Sequence, residues 1–89
     1  TEIALTYPNV KGIVISNHGG RQLDSSCTSL EIMREHKQVA GDKVKLFLDG
    51  GIARGSDIFK ALALGADATL IGRAALWSLA VGGTQGVVH

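Results

Sequence analysis

His18 and Arg21 stand three residues apart in the run Ser16-Asn17-His18-Gly19-Gly20-Arg21-Gln22. An imidazole titrates near neutral pH, so His18 at the end of a strand is a candidate general base. The planar guanidinium of Arg21 offers two parallel N–H donors that match a carboxylate. Gly19 and Gly20 between them allow a tight backbone turn and leave room for a flat ligand. A base beside a carboxylate clamp points to a site that fixes an acid and moves a proton at the neighbouring carbon. For these two residues alone the other reading is a mobile surface loop in which each pairs with a nearby acid.

Two more stretches carry chemistry. Asp49-Gly50-Gly51-Ile52-Ala53-Arg54-Gly55 runs into a helix start at Ser56. Backbone N–H groups in a Gly-rich turn ahead of a helix N-terminus form an anion site. Asp49 can accept hydrogen bonds from sugar-alcohol hydroxyls. A plain strand-to-helix turn with capping residues is the alternative. Gly72-Arg73 adds a glycine for close backbone approach and a cation suited to phosphate.

The elements that must position these residues are legible from periodicity. Gly12-Ile13-Val14-Ile15-Ser16 is a short apolar run, as expected of a strand buried on both faces of a parallel sheet. Leu30 and Met33, with His36 and Val39, recur at helical spacing, and Gly41-Asp42 is the stop. Val44-Lys45-Leu46-Phe47-Leu48 reads as a second strand. Gly55-Ser56-Asp57 supplies short side chains that can cap a helix through Ile58, Phe59, Ala61, Leu62 and Leu64, with Gly65 as its end. Ala68-Thr69-Leu70-Ile71 is a third strand. The apolar run 74–81 follows, closed by Gly82-Gly83 and with Leu76, Trp77 and Leu79 expected in the core.

Strand and helix alternating at this spacing means βαβ units and a parallel sheet, an α/β fold. Three strands do not close a barrel. In a (β/α)8 TIM barrel, functional groups sit in the loops after the strands, and phosphate often binds after the last two. All three strand ends here carry unusual residues, so the expected architecture is the last three βα units of such a barrel. Residues 1–89 would then be part of one domain. A non-Met first residue and a Gly-rich stretch before His89 lead to the same expectation of a segment cut from a longer chain.

Composition narrows the classes. A net charge of +1 with no basic or acidic block argues against a nucleic-acid or anionic-membrane partner. No apolar stretch approaches the roughly 20 residues of a membrane span. Cys27 is the single cysteine, so no internal disulfide can form. No metal site is expected. A chain this short buries only about 60% of the surface that its unfolded form exposes, so its core is marginal.

The seven residues 16–22 resemble, letter for letter, the active-site signature of the FMN-dependent 2-hydroxy acid oxidase and dehydrogenase family. The resemblance implies FMN as cofactor, a small 2-hydroxy acid as substrate, and oxidation to the 2-oxo acid. It implies His18 as the proton-abstracting base, Arg21 as the substrate-carboxylate clamp, and Ser16 near the flavin. Asp49 would meet the ribityl chain, Gly51, Gly72 and Arg73 the phosphate, and Gly50 would also border the cofactor. Residues 49–52 and 60–66 are also similar to IMP dehydrogenase and other phosphate-binding barrels, so only the first motif separates these relatives. Whether the base takes the carbon-bound proton or the hydroxyl proton stays open, as does the electron acceptor (oxygen, haem or quinone).

One position departs from the family pattern. Arginine is usual where Ala53 stands, and its loss removes a charge-assisted contact worth roughly 1.5–3 kcal/mol to the flavin phosphate. Arg54 matches a second basic position whose side chain should point elsewhere. The family also uses an upstream lysine, tyrosines and an aspartate, and Tyr7 is out of position for any of them. The expectation is therefore a piece whose activity belongs to a longer, homo-oligomeric enzyme, in the cytoplasm, peroxisome or mitochondrion by family. The alternative is a catalytically dead βα module. Alone, it would expose two sheet edges and the faces meant for further strands, an aggregation hazard.

Overall fold

Three parallel strands pair in sequence order in the computed structural model, which describes all 89 residues: β1 (Gly12–Ile15), β2 (Lys45–Asp49) and β3 (Ala68–Leu70). Gly12 to Ile15 lie level with Lys45 to Leu48, and Phe47 to Asp49 lie level with Ala68 to Leu70. Helices α2 (Ser29–Ala40) and α3 (Gly55–Ala63) make the crossovers. A short helix α1 (Glu2–Leu5) precedes the sheet and α4 (Arg73–Val88) follows it. These are the expected parallel βα units, with α1 an element that four residues of helix are too few to announce.

The helix boundaries follow from local hydrogen bonding. Thr28 and Glu31 form a capping box: Thr28 Oγ1 accepts from the Glu31 N–H at 3.3 Å, and Glu31 Oε2 accepts from the Thr28 N–H at 3.0 Å. Two donors at the start of α2 are thereby satisfied reciprocally. Helix α3 begins differently from the expected N-cap. Asp57 sits inside the first turn and its Oδ2 reaches back to the N–H groups of Ala53 at 3.1 Å and Arg54 at 3.0 Å. Gly65 follows α3 at φ +114°, and a Cβ there would stand 2.5 Å from Cγ of Lys37, so both conformation and space require glycine.

The core lies between the sheet and the two crossover helices. Ile15, Leu46 and Leu48 from the strands meet Met33, Ala40 and Ala61 from the helices, with Val44, Ile52 and Ala66 at strand ends. Met33, Leu46 and Leu48 are fully buried, whereas Lys45 is exposed and Phe47 half-buried. The same alternation in β1 corrects the expectation that this strand is buried on both faces. The crossover helices cover one face, and Val14 on the other remains 54% exposed.

The expected core at Leu76, Trp77 and Leu79 is not found: all three are more than half exposed. Helix α4 buries none of its residues, because no neighbouring element in this segment packs on its apolar side. Gly83, at φ +59°, kinks α4 where the sequence pattern ended it, after which the helix resumes to Val88. His36 is half-buried, and its Nδ1 pairs with Thr1 Oγ1. No helix is long and apolar enough to cross a membrane.

Candidate active site

Because the strands are parallel and in register, their C-terminal ends share one edge of the sheet. Three loops meet there, and they line one cleft of about 350 Å³. His18, Gly19 and Arg21 come from the loop after β1, and Asp49, Gly50, Gly51 and Ile52 from the end of β2 and its turn. Leu70, Gly72, Arg73 and Ala74 come from the end of β3 and the start of α4. Residues up to 56 positions apart in sequence thus face one space within the 300–1,000 Å³ range of small-molecule sites.

The loop after β1 has an unusual backbone. Residues His18–Gly20 form one turn of 3-10 helix, with φ +55° at His18, +66° at Gly19 and +71° at Gly20. Positive φ is natural for glycine and uncommon for histidine. Ser16 holds that conformation: the His18 N–H donates to Ser16 Oγ at 3.0 Å, and Ser16 Oγ–H donates to Asp49 Oδ2 at 2.6 Å. The second bond follows from register, since Ser16 and Asp49 each come one residue after the level pair Ile15 and Leu48.

Seven of the eight candidate residues therefore border the cleft: His18, Arg21, Asp49, Gly50, Gly51, Gly72 and Arg73. Ser16 does not. It faces a second, more open hollow of about 560 Å³ with Asn17, Gln22, Leu23, Ser26, Cys27 and Ile32. His18 borders both spaces. Leu70 and Ala74 are cleft residues that lie outside the motifs; the period-2 pattern of the third strand is the one signal that could have placed Leu70. Ser29, at the start of α2, was equally silent in the sequence. Its Oγ is buried without a hydrogen-bond partner.

Two cations and one carboxylate face the cleft, a balance that favours an anionic ligand. Arg73 donates from Nη2 to the Gly19 carbonyl at 2.8 Å. Nothing stands where a Cβ on Gly51 or Gly72 would lie, so a ligand can approach both backbones closely. The turn between Gly51 and α3 is held by Asp57, whose carboxyl lies below its usual value because the N–H groups of Ala53 and Arg54 donate to it. Ala53 and Arg54 both line a separate groove against α4, with Ile58, Ala75 and Val87. Arg54 does not line the His18 cleft.

These donors fit the phosphate and sugar-alcohol end of a nucleotide-like group. Gly51 and Gly72 present open backbone, Arg73 a guanidinium, and Asp49 an acceptor for hydroxyls.

The family model described as FMN-dependent dehydrogenase matches residues 3–89. The chain is similar to an L-lactate oxidase of Nostoc, 58% identical over 79 residues, which are 89% of this chain and 22% of the relative. It is also similar to a 2-hydroxyacid oxidase of Dictyostelium discoideum, 49% identical over 87 residues, covering 98% of this chain and 22% of the relative. Solved structures of mandelate oxidase superpose on 97% of the chain at 43% identity. One with (S)-2-phenylpropionate gives a TM-score of 0.86 over 26% of its chain, and one with benzoyl-formic acid gives 0.85 over 26%. The chain therefore spans about a fifth to a quarter of the length of these relatives, and its α/β fold is a piece of their barrel.

Proposed function

This chain belongs to the FMN-dependent dehydrogenase family, and on that premise we propose that it carries the base, the carboxylate clamp and the cofactor-phosphate end of an enzyme that oxidises a small 2-hydroxy acid to its 2-oxo acid. The observation that carries this reading is the shared cleft: His18 and Arg21 on one side, Asp49, Gly51, Gly72 and Arg73 on the other. In this reading residues 1–89 are one part of a longer catalytic domain.

FMN, when bound, supplies a two-electron acceptor. Asp49 would accept hydrogen bonds from its hydroxyls, and Arg73 with the N–H groups beside Gly51 and Gly72 would hold its phosphate. Arg21 grips the substrate carboxylate through two parallel hydrogen bonds and so orients the carbon that reacts. His18 takes one proton from the substrate at an imidazole nitrogen, the step that lets the electron pair leave. Ser16 acts on His18 from behind, by accepting its backbone N–H while donating to Asp49. Substrate class is supported by the relatives, an L-lactate oxidase and a 2-hydroxyacid oxidase among them, and by a mandelate oxidase solved with benzoyl-formic acid, a 2-oxo acid.

One observation favours a second reading, a module that binds an anion without catalysis. Ala53 stands where the family pattern has a phosphate-binding arginine, which weakens the hold on the cofactor while Arg21 and Arg73 still face the cleft. A segment exchange separates the two. Substituting this chain for the matching 79 residues of the Nostoc lactate oxidase should give a yellow protein that oxidises a small 2-hydroxy acid. His18→Gln in the exchanged protein should leave it yellow and inactive. A colourless product, or a His18→Gln variant as active as its parent, would overturn the proposal.

A further inference from the structure

We infer that Arg73 is also a positioning residue: through Gly19 it sets the shape of the loop that presents His18 and Arg21, and it couples that shape to occupancy of the phosphate end. Its Nη2 donates to the Gly19 carbonyl at 2.8 Å across 54 positions of sequence. A Cβ on Gly19 would collide with that nitrogen, so the guanidinium reaches the carbonyl only because residue 19 has no side chain.

Ser16 anchors the start of the loop at His18, but little else holds its Gly19–Arg21 part. Its own turn rests on the Gly20 N–H to the Asn17 carbonyl at 3.1 Å and the Arg21 N–H to the His18 carbonyl at 3.4 Å. Such 3-10 bonds have poor geometry and give little rigidity. A guanidinium carries five N–H donors in a planar fork, so the bond to Gly19 leaves others for an anion beside Gly51 and Gly72. An anion there fixes the guanidinium plane and removes its rotamer freedom, which strengthens its hold on Gly19. Loop order and anion binding then favour each other by the same factor. The inference rests on the reading of Gly51, Gly72 and Arg73 as the phosphate end. It means that the base and the clamp take their places when the cofactor's phosphate is seated.

Amide hydrogen exchange of the 15N-labelled 89-residue chain tests this, with inorganic phosphate as the probe. Phosphate should slow exchange at Gly20 and Arg21 about fivefold or more, while Leu46 and Leu48 in the sheet do not change. Arg73→Lys keeps the cation and loses the fork. Phosphate should still shift the Gly51 and Gly72 resonances in that variant, and its effect on Gly20 and Arg21 should vanish. Arg73→Ala without phosphate should speed exchange at both loop amides. If phosphate shifts Gly51 and Gly72 without slowing the loop in the parent chain, or if Arg73→Lys keeps the coupling, the inference falls. If phosphate shifts nothing, the phosphate reading fails on its own account. The latch is then decided by Arg73→Ala, where unchanged exchange overturns it and faster exchange supports it.

Discussion

Where β2 and β3 begin, Asp67 ties the strands together from both sides of its backbone. Its N–H donates to the Leu46 carbonyl at 2.8 Å, and its Oδ2 accepts from the Leu46 N–H at 2.8 Å. Ala40, Val44, Ala61 and Ala66 are buried around that crossing. At the opposite edge, where β1 and β2 end, His18, Gly19, Gly20, Gly50 and Gly51 all adopt positive φ, and the loop side chains are largely exposed. One end has its polar groups paired within a packed surround; the other keeps donors and charges turned toward an open cleft. The difference teaches that order at the starting ends is what lets the finishing ends remain open, a division of labour general to barrels of this type.

Substitutions at the two ends should separate activity from stability. The largest effect is expected at His18. His18→Gly in the segment-exchanged enzyme should lower kcat about 10²–10⁴-fold. The same change in the 89-residue chain should leave urea stability unchanged or raise it by up to about 1 kcal/mol, since glycine takes φ +55° freely. A marked loss of stability would show that the imidazole is structural and would break the comparison.

Leu46→Ala, at the packed end, should do the reverse. Losing a fully buried leucine costs about 2–5 kcal/mol, enough to unfold much of so small a core, as the urea midpoint will show. A stability near that of the parent would mean that the core does not centre on β2.

The smallest effect is acidic. Asp67 lies below its ordinary value of 3.8, chiefly because the Leu46 N–H donates to it, and Asp57 is lowered by the N–H groups of Ala53 and Arg54. A carboxyl whose folded pKa is lowered binds its proton less readily when folded. Its stabilisation is complete above the ordinary carboxylate range and is lost as pH falls through that range toward the lowered values. Thermal midpoints should therefore fall between about pH 5 and about pH 2, and Asp67→Asn should flatten that limb more than Asp42→Asn. Asp42 is an exposed carboxylate whose partner is Lys37 at 3.4 Å. Equal slopes for the two variants would remove Asp67 from the account.

Much of the fold was legible because its signals are local. The apolar runs at 12–16, 44–48 and 68–71 needed only period and length to become strands, and Gly41 and Gly65 marked helix ends. The site was legible as residue types: an imidazole, two guanidinia, a carboxylate and glycines at three strand ends. Two expectations failed for one physical reason. Burial on both faces of β1, and a core position for Trp77, depend on what lies beyond the residues themselves, and an apolar pattern does not say whether a partner is at hand.

By itself, then, the sequence determined the three βα units, their order and the chemistry at their ends, because helix and strand periodicity and motif composition act over a few residues. Only the tertiary structure decided that Ser16 turns from the cleft to join His18 to Asp49, and that Arg73 reaches Gly19. The Ser16–Asp49 and Arg73–Gly19 contacts join positions 33 and 54 residues apart. They depend on parallel register bringing one set of strand ends to a common edge, and no local pattern encodes that distance.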